Sequence, residues 1–309
     1  MKQRILVSNI MMLKERERFQ AILESHDLEP IFPKVGQFLS EAELLGYAGN
    51  IDAMLAGDDH ITRHFLEKAV PRLKVISKWG TGIDSIDLSA AKELGIKVCN
   101  SPAAFSDAVA DVALGYIIDL YRSISLIDRQ VRSGAWPKPT GFVLRGKTLG
   151  MIGFGAIGRA IAERAKAFGM DVVYFDVKQG DAMQGASFVK TEEVFKQSDV
   201  ICLACNLTAD NHHLIDSKAI SLMKNDVKIV NVARGPLIKE VDLIAALEQE
   251  SIGGVALDVF EDEPICQSSG LLKFNNTIFG SHNANNAFEA NEYVHQNTIN
   301  NLLDGLGKL

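Results

Sequence analysis

The sequence predicts an α/β protein in which a Rossmann doubly wound parallel-sheet domain is inserted in a smaller, flavodoxin-like α/β domain. Three observations support this fold class. The chain has 309 residues, more than a single hydrophobic core usually accommodates. Short apolar runs alternate with helical patterns in two separate series, and a glycine-rich turn follows the first apolar run of the second series.

The first hundred residues form the first alternating series, as expected of βαβ units and a parallel sheet. Its apolar runs and helical patterns are, in order, RILVSNI, ERERFQAILESH, EPIFP, IDAMLAG, ITRHFLEKAV, LKVISKWG, IDLSAAKELG and IKVCN. A long helical stretch then extends from residue 104 to Gly134, with small and apolar residues on most of its faces.

The second series contains six strand candidates with helices between them, the number expected of a Rossmann-type sheet. The candidates are TLGMIGFG, DVVYFD, DVICLAC, VKIVNVA, GGVALDVF and NTIFGSHN. The final helical stretch, FEANEYVHQNTINNLLDGLGKL, lies outside this series and is expected to pack on the first domain. We therefore predict a discontinuous domain of residues 1–100 plus 285–309, which encloses a second domain of residues 101–284.

Composition and charge argue against several classes of protein. Hydrophobic residues make up 47% of the chain and charged residues 23%, as in ordinary globular proteins. The formal net charge of -7, without a basic run, argues against nucleic acid as a partner. No apolar stretch approaches the length of about 18 residues that spans a membrane, and the N-terminal segment lacks the pattern of a cleaved signal. We therefore expect a cytoplasmic protein with no nucleic-acid or membrane partner.

The four cysteines are too few and too scattered for a disulfide scaffold. Cys202 and Cys205 form a C-x-x-C in an apolar run, where their spacing points the two side chains to opposite faces of a strand. His212 and His213 follow, which leaves a zinc site open, but strand geometry opposes a shared tetrahedron. Buried structural thiols are the favoured interpretation, and no metal is expected.

The glycine-rich turn has the pattern G-x-G-x-x-G and lies between an apolar run and an Ala- and Arg-rich helical pattern. Gly153 permits a tight turn, Gly155 lets a pyrophosphate approach the backbone, and Gly158 lets the helix pack closely on the strand. Asp176 ends the next apolar run, where its carboxylate can bind the adenosine ribose hydroxyls and repel a 2′-phosphate. These features predict NAD as the cofactor, although Lys178 nearby leaves NADP open.

Candidate catalytic residues follow strands of the second series. They are Arg234 in NVARG, the acids Glu261, Asp262 and Glu263 in DVFEDEP, and His282 in SHN. The carboxyl ends of parallel strands share one edge of the sheet, where open α/β sheets bind ligands. There an Arg can bind a carboxylate, a His can exchange a proton, and an acid can favour the protonated His. This combination predicts hydride transfer to a 2-oxo acid, and the residues alone do not decide which acid partners the His.

These motifs closely resemble those of the D-isomer-specific 2-hydroxyacid dehydrogenase family, over essentially the whole chain. The shared features are GTGIDSID from Gly80, the glycine turn with Asp176, NVARG, the D-V-F-x-x-E-P pattern and His282. The resemblance implies an NAD-dependent oxidoreductase that transfers a hydride between NAD(H) and C2 of a small 2-hydroxy or 2-oxo acid. Its first domain would bind the substrate and its second domain NAD. Members are usually homodimers joined through their nucleotide-binding domains, with residues 115–150 an expected contributor.

The resemblance also implies roles for individual residues. Arg234 orients the substrate, His282 is the acid/base, and Glu263 rather than Glu261 is its partner. The backbone N–H groups around Thr81 and Gly82 bind the substrate carboxylate. The full set of expected substrate contacts is Lys78, Trp79, Gly80, Thr81, Gly82 and Arg234. The full set of expected cofactor contacts is Gly153, Gly155, Ala156, Ile157, Gly158, Asp176, Cys205, Val232, Ala233 and Asp258, the last at the nicotinamide amide.

Two departures from the family pattern bear on the substrate. Polar residues 283–286 follow His282 where the family has small apolar residues and glycine. The loop of residues 57–60 is acidic where a phosphate-binding member has basic residues, and this disfavours a phosphorylated substrate. An alternative from another class is an NAD-sensing, corepressor-like protein, against which the intact Arg, Glu and His argue.

Overall fold

A computed structural model describes residues 2–179 and 183–309. The chain divides into two units, Met1–Ala104 with Phe288–Leu309, and Phe105–Ala287. We call these the first and the second unit. Their borders lie at 104/105 and 287/288, compared with 100/101 and 284/285 from the sequence.

The first unit begins with alternating strands and helices. They are β1 (Gln3–Val7), α1 (Ile10–Lys14), α2 (Arg16–Ser25), β2 (Leu28–Ile31), α3 (Glu41–Leu45), β3 (Ala53–Ala56), α4 (Arg63–Ala69), β4 (Val75–Lys78), α5 (Leu88–Glu93) and β5 (Lys97–Cys99). The sequence pattern did not predict α3, which begins with a capping box between Ser40 and Glu43.

The five strands of the first unit form a parallel sheet in the order β2-β1-β3-β4-β5. This is the flavodoxin-like order. Every residue of β3 and β4 is buried, which explains why these runs are continuously apolar rather than alternating. Pro30 lies in β2, which is an edge strand, and an edge strand tolerates a residue without a backbone N–H.

The second unit contains the remaining strands and most of the remaining helices. They are α6 (Ser106–Arg122), α7 (Ile124–Arg132), β6 (Thr148–Ile152), α8 (Ala156–Ala167), β7 (Asp171–Phe175), β8 (Ala186–Phe188), α9 (Thr191–Gln197), β9 (Val200–Leu203), α10 (Ser217–Ser221), β10 (Lys228–Asn231), α11 (Glu240–Glu248), β11 (Gly254–Leu257) and β12 (Thr277–Phe279). The long helix predicted to end at Gly134 is two helices, because Ser123 adopts a left-handed conformation between them, with φ 53°.

The strands of the second unit form a seven-stranded parallel sheet in the order β12-β11-β10-β9-β6-β7-β8. Strand order reverses between β6 and β9, which is the topological switch point of a doubly wound Rossmann sheet. All six predicted strands are present, and the short edge strand β8 is an addition. The predicted α/β fold class is confirmed.

The C-terminal helix α12 (Phe288–Gly305) packs on β3, β4 and β5 of the first unit. Its buried residues recur at helical spacing and are Val294, His295, Thr298, Ile299, Leu302 and Leu303. Gly305 ends the helix against β4, where a Cβ atom would lie 2.7 Å from Val75. Among the described residues, no helix is both long and apolar enough to span a membrane.

Candidate active site

The glycine-rich turn joins β6 to α8. Gly153 has φ 94°, and a Cβ atom there would lie 2.6 Å from the backbone of Ala204. A Cβ atom at Gly158 would lie 2.2 Å from the carbonyl oxygen of Gly153. Gly155 differs, because its φ is -72° and a Cβ atom would have nothing within 4 Å. The fold thus requires the first and third glycines, and the second leaves open space at the N-terminus of α8, as a bound pyrophosphate requires.

Asp176 follows β7 and holds the glycine turn from its other side. Its Oδ2 accepts a hydrogen bond from the Phe154 backbone N–H at 2.6 Å, and its Oδ1 accepts one from the Lys178 N–H at 3.2 Å. Phe154 is buried and stacks on Tyr174 with 3.7 Å between ring centroids. The carboxylate therefore lies beside the turn, the position from which an acid binds the adenosine ribose.

The loop that carries Arg234 is fixed by its own backbone contacts. Asn231, at the end of β10, accepts a hydrogen bond from the Ala233 N–H at 3.0 Å and donates one to the Arg234 carbonyl at 2.9 Å. At Gly235, a Cβ atom would lie 1.8 Å from the carbonyl oxygen of Phe260. The loops after β10 and β11 thus touch backbone to backbone, which brings Arg234 beside the turn after β11.

That turn carries the partner of His282. The Nδ1 atom of His282 lies 2.8 Å from Oε2 of Glu263, and Oε1 of Glu263 accepts a hydrogen bond from the Phe260 N–H at 3.0 Å. His282 has φ 54°, and its backbone N–H donates to the carbonyl of Asp258 at 2.7 Å. Both side chains of the pair are therefore held by the ends of β11 and β12.

The electrostatics of the pair favour charge on both partners. Burial raises the pKa of Glu263, but the hydrogen bond and charge of His282, the Phe260 N–H and the charge of Arg234 together bring it below its ordinary value. Glu263 is therefore ionised at neutral pH. An ionised carboxylate on Nδ1 stabilises the protonated imidazole in return.

Comparison with known proteins identifies the family. Residues 114–284 match the family model described as D-isomer specific 2-hydroxyacid dehydrogenase, NAD binding domain. The chain belongs to this family. It is 37% identical to the glyoxylate reductase of Thermococcus litoralis, over 84% of this chain and 82% of that protein. It is 33% identical to the hydroxypyruvate reductase of Thermotoga maritima, over 95% of this chain and 96% of that protein.

A solved structure supports the same assignment. The D-lactate dehydrogenase from Aquifex aeolicus, complexed with NAD and lactic acid, has a TM-score of 0.88 and 26% identity, over 99% of this chain and 96% of that chain. The chain is thus an NAD-dependent D-2-hydroxyacid dehydrogenase, and the predicted cofactor is confirmed.

In this dehydrogenase the remaining predicted cofactor residues also lie at the carboxyl edge of the second sheet. Ala156 and Ile157 begin α8 and are exposed and half-buried, respectively. Cys205 follows β9, and Val232 and Ala233 follow β10. Each therefore lies in the first turn of α8 or in a loop that follows β9 or β10.

The zinc alternative finds no support at the C-x-x-C. Cys202 lies within β9, where burial raises its pKa to about 12, and burial raises the pKa of Cys205 to about 11. Among the described residues, the only group close enough to share a metal is Glu15, Glu292 and His295, which contains no cysteine. Cys202 is therefore a buried thiol, and Cys205 is a half-buried one.

Both carboxylate oxygens of Asp258 accept hydrogen bonds from other groups of the protein. It is 2% exposed, and its Oδ1 accepts hydrogen bonds from the Tyr116 hydroxyl at 3.1 Å and the Asn283 N–H at 3.3 Å. Its Oδ2 accepts one from the Ala284 N–H at 2.9 Å. This carboxylate thus anchors the segment directly after His282. Asp258 was expected to contact the nicotinamide amide, but the sequence did not indicate this second, structural role.

A second His–Glu pair lies in the same unit, and sequence reasoning missed it. Nε2 of His213 lies 2.5 Å from Oε1 of Glu261. Glu261 and Glu240 also exchange hydrogen bonds, since each carboxylate accepts from the other's backbone N–H, at 3.0 and 2.8 Å. The structure therefore places Glu263 on His282 and Glu261 on His213. The backbone of His213 is left-handed, with φ 55°.

The expected substrate loop follows β4 in the first unit. Gly80 has φ 110°, and its carbonyl accepts a hydrogen bond from the Ser101 N–H at 2.8 Å. The Thr81 hydroxyl donates to the Ser101 carbonyl at 3.2 Å, and the Asn100 amide donates to the Thr81 carbonyl at 2.6 Å. The end of β5 thus fixes the loop, including the backbone before Gly82.

Lys78 and Trp79 are buried inside the first unit. The Lys78 ammonium contacts Asp58 Oδ1 at 2.9 Å and the Trp79 carbonyl at 2.9 Å. The Trp79 indole donates to Nδ1 of His295 at 3.0 Å. This geometry does not favour the direct substrate contacts expected of these two side chains, because both are already bonded within the unit. The backbone of residues 80–82 is the better candidate.

Proposed function

We propose that this dehydrogenase transfers a hydride between NAD(H) and C2 of a small 2-hydroxy or 2-oxo acid, with His282 as the acid/base. The observation that carries the proposal is the 2.8 Å contact between His282 Nδ1 and Glu263 Oε2. Because Nδ1 of His282 is bonded to Glu263, Nε2 is the ring atom that exchanges a proton with the substrate. The relatives named glyoxylate reductase and hydroxypyruvate reductase support this substrate class.

The pair performs the proton transfer in both directions. Bound NADH supplies the hydride to C2. As the carbonyl bond is reduced, its oxygen gains negative charge, and protonated His282 donates the Nε2 proton to that oxygen. Glu263 stabilises the imidazolium before the transfer. In the oxidation direction, neutral His282 accepts the same proton from the substrate hydroxyl.

We assign binding of the substrate carboxylate to Arg234, with the backbone N–H groups of Thr81 and Gly82. A guanidinium forms two parallel hydrogen bonds to a carboxylate, which fixes its orientation as well as its position. Arg234 suits this role because its loop touches the turn that carries Glu263, backbone to backbone between Gly235 and Phe260.

We propose that the substrate carries no phosphate. Lys78, a cation of the substrate loop, is already paired with Asp58. Asp59 is fully buried and accepts hydrogen bonds from the Ser8 hydroxyl and the Leu39 N–H. Asp59 is thus a structural acid, and the exposed Asp58 carboxylate engages the Lys78 ammonium that a phosphate would need.

We propose that the enzyme is a homodimer joined through the second unit. Large apolar side chains are exposed between α7 and β6, namely Trp136 at 78%, Val143 at 69% and Phe142 at 55%. A second copy of the chain that covers them removes this apolar area from water. Light scattering should give twice the chain mass of 33.7 kDa, and a monomer at micromolar concentration would contradict the proposal.

The direct test follows NADH absorbance with purified protein and a panel of 2-oxo acids. The panel contains glyoxylate, hydroxypyruvate, pyruvate, phosphohydroxypyruvate and bulkier acids, and is repeated with NADPH. We expect the highest kcat/KM for a small unphosphorylated acid with NADH. Tight NADH binding without oxidation by any acid would overturn the proposal and favour the NAD-sensing, corepressor-like alternative.

A further inference from the structure

We infer that His295 is a positioning residue for the substrate loop, because its hydrogen bond to Trp79 holds the backbone of residues 80–82 in place. The inference rests on the proposed role of that loop in binding the substrate carboxylate. It concerns the C-terminal helix α12, which the proposed chemistry does not otherwise use.

The His295–Trp79 contact is a buried polar bond. Trp79 is 7% exposed and His295 is 2% exposed. The indole N–H lies 3.0 Å from Nδ1 of His295, and the Phe19 ring of α2 lies 4.9 Å from the imidazole. Loss of the acceptor would leave a buried N–H without a partner, which costs more than the bond itself contributes.

This bond fixes the protonation state of His295. An indole N–H is only a donor, so Nδ1 must accept and the ring proton must sit on Nε2. Burial lowers the pKa of His295, Glu15 and Glu292 raise it and Arg18 lowers it, with a net result below the ordinary value. His295 is therefore neutral at neutral pH. A second proton would occupy Nδ1 and abolish the bond to Trp79.

Burial keeps His295 neutral, because the charges of the groups around it partly cancel. Nε2 of His295 lies 3.7 Å from Oε1 of Glu15. Arg18 contacts Glu15 at 2.8 Å and binds both carboxylate oxygens of Glu292 at 2.7 Å. The guanidinium thus offsets the charge of the two acids that would otherwise draw a proton to the imidazole.

Helix α12 has two attachments to the start of the substrate loop. The first is the bond to Trp79, which directly precedes Gly80, whose left-handed backbone begins the loop. The second is indirect: the Asn297 amide of α12 donates to the Ser101 hydroxyl at 2.8 Å, and Ser101 in turn bonds Gly80 and Thr81. Replacement of His295 therefore releases the first attachment and leaves the second in place.

The kinetic test compares three variants. His295→Phe keeps a ring but removes the acceptor, Trp79→Phe removes the donor, and His295→Asn places an amide oxygen near the position of Nδ1. We expect His295→Phe to raise KM for the 2-oxo acid about tenfold, with little change in kcat or NADH affinity. His295→Asn should stay close to the parent enzyme.

A double-mutant cycle separates the hydrogen bond from general packing. His295→Phe with Trp79→Phe should be no worse than His295→Phe alone, because the bond is lost only once. Additive losses, or a His295→Asn enzyme as impaired as His295→Phe, would overturn the inference. If His295→Phe does not fold, Trp79→Phe compared with His295→Asn decides the same point.

A spectroscopic readout tests the bond without turnover. The chain has two tryptophans, so Trp136→Phe leaves Trp79 as the only indole emitter. In that background the emission should change in the acid range below the ordinary pKa of histidine, where His295 gains its second proton. The change should vanish with His295→Asn, and emission that is equally pH-dependent in both proteins would overturn the inference. Failure to reduce any 2-oxo acid would instead defeat the proposed function, while the emission result still decides the bond.

Discussion

Replacement of Glu263 with Gln tests the acid/base pair. The amide keeps the size of the side chain and a hydrogen-bonding group beside Nδ1 of His282, 2.8 Å away, but removes the negative charge. His282 lowers the pKa of Glu263, and interaction between two sites is reciprocal, so the carboxylate stabilises the imidazolium by the same free energy. The variant should therefore hold the protonated form of His282 less well.

The size of the effect follows from the exposure of the pair. A hydrogen bond to a charged group contributes about 1.5–3 kcal/mol. The side chains of His282 and Glu263 are 37% and 25% exposed, so solvent screens part of this interaction. We expect about 1–1.5 kcal/mol after this discount. One pKa unit corresponds to about 1.4 kcal/mol, so the pKa that governs the pH dependence of kcat/KM should fall by about one unit.

The assay is the pH dependence of kcat/KM for NADH-dependent reduction. Reduction requires the proton on His282, so kcat/KM falls as the pH rises. In Glu263→Gln this fall should begin about one pH unit lower than in the parent enzyme. Glu261→Gln is the matched control, because Glu261 contacts His213 instead. An unchanged profile in Glu263→Gln, or an equal shift in Glu261→Gln, would refute the reasoning.

Four further substitutions test the cofactor and carboxylate sites. Gly153→Ala should lower Tm by about 4 °C or more in a thermal melt, because φ is 94° and the Ala204 backbone would lie 2.6 Å from the new Cβ atom. Gly155→Ala should fold normally, and an NADH titration should show about tenfold weaker binding. Arg234→Lys should raise KM for the 2-oxo acid about tenfold and leave NADH affinity unchanged, because an ammonium cannot form two parallel bonds; equal KM values would contradict the assignment. Asp176→Ser should raise kcat/KM with NADPH relative to NADH about tenfold, because the repelling carboxylate is gone, and an unchanged ratio would show that Asp176 does not select the cofactor.

The parallel sheets could be predicted because their strands are buried on both faces and read as continuous apolar runs. β9, β10 and β11 are each buried at every position, and each had been identified from such a run. β8 was missed because it has three residues, is partly exposed and lies at the sheet edge. The break at Ser123 was missed because a serine with positive φ has no pattern in the sequence.

At the site, motifs located the strand-end residues but not their partners. Spacing left Glu261 and Glu263 equivalent, and the resemblance to the family selected Glu263, which the structure places on His282. The Glu261–His213 pair joins residues 48 positions apart, so no local pattern indicates it. Trp79, expected at the substrate, donates its indole N–H to His295, 216 positions away, and no local pattern indicates this contact because tertiary packing decides it.

A single-turnover measurement on His282→Gln tests the proposed proton transfer most directly. The variant is mixed with NADH and the best 2-oxo acid, and NADH oxidation is followed in one turnover. If His282 delivers the proton, hydride transfer falls by about 10²–10⁴-fold while NADH binds as in the parent enzyme. Hydride transfer at the parent rate would contradict the assignment of His282 as the acid/base.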